Sequence, residues 1–252
     1  MIEAPEIDVQ GLGMRYPTGR LALDGASLSV SPGELVVVLG HNGSGKSTLL
    51  RCIAGILKPT AGRVLLQNRE LSRLGGRALR DARLALGMIF QQAHLVRRRS
   101  VLANVLCGTV GRHRTLATAL GRLPRQERPH ALDCLHQVGL LSLAGQRAGT
   151  LSGGQAQRVA IARALAQRPR ALLADEPVAS LDPEAAEEIM RLLRRLATED
   201  GLAVMCVLHQ PDLARHYADR ILGLRAGRTV FLSEPQAINA SDIAALYETV
   251  PA

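Results

Sequence analysis

Tryptophan is missing from this 252-residue chain, and aromatics of every kind amount to 2%, three Tyr and two Phe. A core of stacked rings is excluded. It must be aliphatic instead, and a 47% hydrophobic content is ample for that. Cysteine is also sparse. Cys52, Cys107, Cys134 and Cys206 form no C-x-x-C pair and have no histidines at zinc-ligand spacing, so neither a disulfide framework nor a metal knuckle is expected, and a reducing compartment fits. Long apolar runs are absent too. Stretches such as Leu202 to Leu208 fall far short of the roughly 18 residues needed to cross a bilayer. The opening Met1-Ile2-Glu3-Ala4-Pro5-Glu6 lacks the cationic start and apolar stretch of a signal peptide. Any membrane role is therefore expected to need a partner chain.

Lysine is nearly absent, with only Lys46 and Lys58, so arginine carries the formal charge of +9. Such an excess invites a nucleic-acid reading, because phosphate backbones attract dense cationic surfaces. The arginines are spread along the chain, however, and too few aromatics exist to serve as stacking platforms. A surface held against anionic lipid explains the charge as well, and no nucleic-acid partner is expected.

The chain reads as a single α/β unit over residues 1–252 with an inserted helical lobe at about 93–150. Val9 to Leu12 and Ala26 to Val30 read as strands of an opening antiparallel layer, joined through a turn at Tyr16-Pro17-Thr18-Gly19. Leu35 to Leu39 is a strand buried on both faces, followed by a helix from Lys46 to Ile56. Arg77 to Arg83 is a short helix and Leu86 to Phe90 a strand. The inserted segment is rich in Arg, His and Leu and is punctuated by Gly108, Gly111, Gly121, Pro124, Pro129 and Gly139. Beyond it are expected a helix (Gly154 to Gln167), a strand (Ala171 to Ala174), an amphipathic helix opened by Pro183 and running to Thr198, and a strand (Ala203 to Leu208). A hairpin, Arg220 to Leu224 with Thr229 to Leu232, completes the reading.

Gly40-His41-Asn42-Gly43-Ser44-Gly45-Lys46-Ser47-Thr48 satisfies G-x-x-x-x-G-K-S/T between the buried strand and a helix, the context that makes this spacing a phosphate-binding loop. Glycines let backbone N–H groups curl around phosphate oxygens, the helix N-terminus adds positive potential, Lys46 reaches the β/γ-phosphates and the Ser47 hydroxyl ligates Mg²⁺. The strand Ala171 to Ala174 ends in Asp175-Glu176. Asp175 is placed to hold Mg²⁺ and Glu176 to polarise an attacking water. Leu151-Ser152-Gly153-Gly154-Gln155 then sets a hydroxyl and a glycine pair at a helix N-terminus, a second anion-binding device. One nucleotide cannot easily use both devices of one molecule. A head-to-tail homodimer or heterodimer follows, each nucleotide gripped by the loop of one subunit and this helix of the other.

Together with Phe90-Gln91, Ser180-Leu181-Asp182 and Leu208-His209, these motifs resemble, in order and spacing over essentially the whole chain, the nucleotide-binding subunits of ATP-binding-cassette transporters. The resemblance implies a RecA-like P-loop NTPase core with an antiparallel β layer and an inserted helical subdomain. It also implies ATP and Mg²⁺ as ligands, and an ATP-dependent homodimer on the cytoplasmic face of the inner membrane, docked to two transmembrane permease subunits and fed by a periplasmic binding protein. It further implies Gln91 as a sensor of γ-phosphate and Mg²⁺, Ser180 to Asp182 as a loop crossing the dimer, His209 as a γ-phosphate switch and Tyr16 as the ring that stacks on adenine. Taken alone, Tyr16 could brace its turn and His209 could be a strand-end polar group.

A narrower resemblance, to the ATPase of phosphonate importers, rests on Ile89 to Gln92, Leu95-Val96, Ser100 to Leu106, Leu173 to Pro183 and Leu208 to Gln210. His41-Asn42 and Ala93-His94 depart from that subgroup. The rivals are an importer of another solute, such as phosphite, phosphate or an amino acid, and a soluble ATPase acting in translation or DNA repair. The latter usually carries two cassettes or a long coiled-coil insertion, and this chain has neither.

Overall fold

A computed structural model describes residues 5–113, 118, 122 and 125–247. Gly121 and Pro124, two of the punctuation points of the expected lobe, lie outside the described residues, as do Met1 to Ala4.

Two sheets organise the chain. The first is antiparallel, in the order β2-β1-β4-β5, from β1 (Ile7–Arg15), β2 (Leu21–Val30), β4 (Ala61–Leu66) and β5 (Arg69–Glu70). It is larger than the two strands expected. β4 escapes a pattern search because its first half, Ala61 to Arg63, is exposed and only Val64 and Leu66 point into the core.

The second sheet runs β10-β9-β3-β8-β7-β6, from β3 (Leu35–Leu39), β6 (Leu86–Ile89), β7 (Ala171–Asp175), β8 (Ala203–Val207), β9 (Arg220–Arg225) and β10 (Arg228–Ser233). Pairing is parallel from β6 through β9, and β10 closes one edge as an antiparallel hairpin. Alternation along β3 explains its unbroken apolar run. Leu35, Val37 and Leu39 join the core beneath the helices, whereas Val36 and Val38 join the core shared with the antiparallel sheet.

Eight α-helices lie among the described residues: α1 (Lys46–Ile53), α2 (Gly76–Arg83), α3 (Val101–Leu106), α4 (Arg128–Gln137), α5 (Gly153–Leu165), α6 (Pro183–Thr198), α7 (Pro211–Tyr217) and α8 (Ala240–Tyr247). Between residues 93 and 150, α3 and α4 pack on each other and on α5, with 3₁₀ turns supplying much of the rest. Caps set the starts that matter. Ser152 and Gln155 form a reciprocal capping box on α5, and Asp182 accepts from Ala185 N at 2.9 Å to start α6 ahead of Pro183. The four cysteines are free, and no helix among the described residues is long and apolar enough to cross a membrane.

Candidate functional site

The strand register gathers the motifs. Val38 pairs with Val207, Val207 with Asp175, and Ala174 with Ile89. The segments that follow these residues therefore leave the sheet at one edge: the glycine loop after β3, Leu208-His209 after β8, Glu176 after β7 and Phe90-Gln91 after β6. The carboxyl edge of a parallel sheet is where this architecture places its ligands, because the loops there diverge around helix N-termini.

The loop from Gly40 to Gly45 wraps the Lys46 side chain, which is 5% exposed. Its ammonium donates to Gly40 O at 2.6 Å and to His41 O at 3.0 Å. Burial pulls its pKa down, while Glu176 and Asp175 offset that shift. Two glycines are sterically required. A Cβ on Gly45, at φ +109°, would lie 2.5 Å from Ala22 O, and one on Gly40 would lie 2.2 Å from Leu224 O. Ser44 Oγ is buried without a hydrogen-bond partner. An orphaned hydroxyl, a buried ammonium and the N-terminal N–H groups of α1 make a donor set that fits a polyphosphate.

Ser47, next on α1, donates from Oγ to Asp175 Oδ1 at 3.3 Å, bringing together two of the three residues expected at Mg²⁺. Burial raises the Asp175 pKa. The Ser47 hydrogen bond opposes that shift, Glu176 adds to it, and Arg51 and Lys46 oppose it. A hydroxyl and a carboxylate that burial leaves short of solvation suit a hard divalent cation, which takes oxygen ligands. Glu176 sits at φ +51°, a left-handed conformation uncommon for a non-glycine residue, and its Oε1 lies 2.6 Å from His209 Nε2.

Tyr16 stands at the loop's flank with its hydroxyl 3.2 Å from Thr48 Oγ1, so the bracing reading has a partner and the ring remains half-buried beside the loop. Within the loop the His41 ring folds back on the chain, its Nδ1 meeting the backbone O of Asn42. Gln91 follows β6 on the exposed surface.

The residues Ser152 to Gln155 are not joined to the loop 40–48 by any hydrogen bond or ion pair among the described residues. They pack instead on the segment after β7. A Cβ on Gly153 would meet Leu181 Cδ2 at 3.2 Å, and one on Gly154 would meet Ala185 Cβ at 3.1 Å. Ser152 Oγ accepts from Gln155 N at 3.3 Å, which leaves its own proton free to donate. The Asp182 carboxylate is occupied in capping α6.

Sequence reasoning missed the residues that tie these parts together. Buried Gln157 of α5 donates to Phe90 O at 3.0 Å, and Arg163 donates to Ala93 O at 2.7 Å and His94 O at 3.0 Å, so α5 grips the segment carrying Gln91. Buried Glu127 meets His113 at 2.8 Å and Arg168 at 2.9 Å. No spacing rule reveals these pairs, whose members stand 14 to 70 residues apart.

Residues 23–179 match the ABC transporter family. A phosphonates import ATP-binding protein from Frankia casuarinae is 54% identical over 210 residues, covering 83% of each chain. Another with that description, from Nostoc sp., is 47% identical over 96% of this chain and 91% of its own. Among solved structures, cbiO1 from Clostridium perfringens, part of the ABC transporter complex cbiONQ, superposes with a TM-score of 0.84 at 32% identity, covering 96% of this chain and 93% of that one. An ATP-binding cassette solved as a dimer in a post-hydrolysis state with ADP and Pi superposes with a TM-score of 0.78 at 35% identity, covering 91% and 98%.

Proposed function

From a chain that belongs to the ABC transporter family, we propose an ATP-hydrolysing subunit that energises phosphonate import, acting as a head-to-tail pair beneath a membrane permease. The observation that carries the solute is identity of 47% across nearly the whole chain to an ATPase described as a phosphonates importer. The observation that carries the chemistry is the convergence of Ser47, Asp175, Glu176 and His209 at one sheet edge.

In this reading the N–H groups from Gly43 to Ser47 and the Lys46 ammonium hold the phosphates of ATP, and Tyr16 lends its ring to the adenine. Ser47, Asp175 and Gln91 would hold Mg²⁺, which neutralises charge on the phosphate oxygens when bound. Glu176 takes a proton from the attacking water. His209 holds that carboxylate in place and faces the γ-phosphate. The free Ser152 proton and the first N–H groups of α5 serve the nucleotide of the partner copy, with Asp182 beside them, since among the described residues no hydrogen bond or ion pair joins residues 152–155 to the loop.

The segment 93–150 acts as the lobe that carries α5 and the permease contact. Arg97, Arg98 and Arg99 are exposed there, directly after the segment that carries Gln91. Cationic side chains in that position suit permease carboxylates and lipid phosphates on the cytoplasmic face of the membrane. A periplasmic binding protein would deliver the solute.

The test is growth of a deletion strain on a phosphonate as sole phosphorus source, with phosphite and phosphate as controls. Loss of growth on the phosphonate alone is the expected result. Normal growth there, with loss of uptake of another solute, overturns the solute and leaves the ATPase standing.

A further inference from the structure

A cleft of about 370 Å³ opens between the end of α4, the face of α5 and the middle of α6, away from the loop 40–48. Arg158, Arg191, Arg195 and His136 line it, against a single carboxylate, Glu188. Arg158 reaches Glu188 at 3.4 Å through Nη2, yet its Nε is buried with no hydrogen-bond partner. Arg191 donates to Glu187 O at 3.4 Å and hydrogen-bonds Tyr217, whose hydroxyl donates to Glu187, while Arg195 donates to Gln137 O. Among the described residues no carboxylate stands within ion-pair distance of Arg191 or Arg195.

In a second polar cleft two of the three lining arginines are paired, and the third, Arg215, donates to Ile238 O. Around Tyr217, Arg194 pairs with Asp219 and Arg220 with Glu34. The cleft at α4, α5 and α6 departs from that pattern: three guanidinium groups against one carboxylate leave two positive charges in one concavity. A solvated arginine face would scatter them.

We propose that this cleft binds a small tetrahedral oxyanion of the phosphate-monoester or phosphonate class. Planar guanidinium forks match the terminal oxygens of such a group, and its charge near −2 at neutral pH balances the surplus. The volume lies at the lower end of small-molecule sites, enough for the head group and a short substituent. Bound there, the anion bridges α4, α5, which begins at the Ser152 cap, and α6, which begins at the Asp182 cap. The site does not depend on which solute is imported.

The experiment is calorimetric titration of the full chain, saturated with ADP and Mg²⁺, at ionic strength fixed with sodium chloride. Inorganic phosphate, methylphosphonate and glycerol 3-phosphate are the probes, and the tightest of the three identifies the source. One saturable site per chain is expected. It should weaken about tenfold or more in Arg191→Gln/Arg195→Gln, both exposed positions whose folding is checked by melting, and persist in Lys46→Ala. No saturable binding above the chloride background overturns the proposal, as does undiminished affinity in the double variant or loss of binding in Lys46→Ala.

Discussion

Glu176 Oε1 and His209 Nε2 stand 2.6 Å apart, each at the end of a neighbouring parallel strand, with the Glu176 backbone in the left-handed region. That conformation turns the chain sharply after Asp175, so two consecutive acids serve different partners: Asp175 faces Ser47 and Glu176 faces His209. His209→Ala should remove this restraint on the Glu176 carboxylate. Hydrolysis is expected to fall, while nucleotide affinity, read by fluorescent-nucleotide titration, stays close to wild type because the loop 40–48 is untouched.

Lys46→Ala tests the loop itself. A charge-assisted hydrogen bond is worth about 1.5 to 3 kcal/mol, so nucleotide should bind roughly tenfold to a hundredfold more weakly and turnover should vanish. Retained ATPase activity would defeat the assignment of the loop.

Asp175→Asn should trade function for stability. Burial raises the folded-state pKa of Asp175 above its unfolded value, so between those two values the folded chain holds a proton that the unfolded chain has released. Stability therefore falls as pH rises through that window. Asparagine cannot ionise. The nucleotide-free variant should melt above wild type at pH 7, with the difference shrinking toward acid, and should lose Mg²⁺-dependent hydrolysis. A lower melting temperature at pH 7 contradicts the burial argument.

Arg98→Glu tests the coupling surface. Its neighbours Arg97 and Arg99 are strapped to the chain just before α5, their carbonyls accepting from Gly149 N and Ala148 N at 2.9 Å. The Arg98 side chain is exposed between those straps, so reversing its charge should leave basal hydrolysis intact and uncouple it from transport in the assembled transporter. Unchanged transport would return these arginines to the solvated surface.

The motif residues were legible because their chemistry is local. The loop from Gly40 to Thr48, the paired acids after β7 and the hydroxyl-glycine start of α5 each declare themselves within nine residues, and β3 within five. What escaped depends on distance in the chain. β4 hides behind an exposed first half, and α7, opened by Pro211, is seven residues long, too short for a period to register. The hydrogen bonds from Gln157 to Phe90 and from Arg163 to Ala93 exist only once α5 lies along the end of β6. The capping role of Asp182 is implicit in the Asp182-Pro183 pair that opens α6.

The composite site can be probed by mixing. Lys46→Ala protein and Ser152→Arg protein carry defects that fall in the same one of the two sites of a mixed dimer, which leaves the other intact. Activity should reappear on mixing, above that of either variant alone.

Glu176→Gln tests the central claim most directly, since it keeps size and hydrogen bonding but removes basicity. Gel filtration with ATP and Mg²⁺, run beside a turnover assay on the same sample, should show a nucleotide-bound dimer with hydrolysis lowered by ~10² to 10⁴. A monomer hydrolysing ATP at the wild-type rate would contradict both the base and the head-to-tail site.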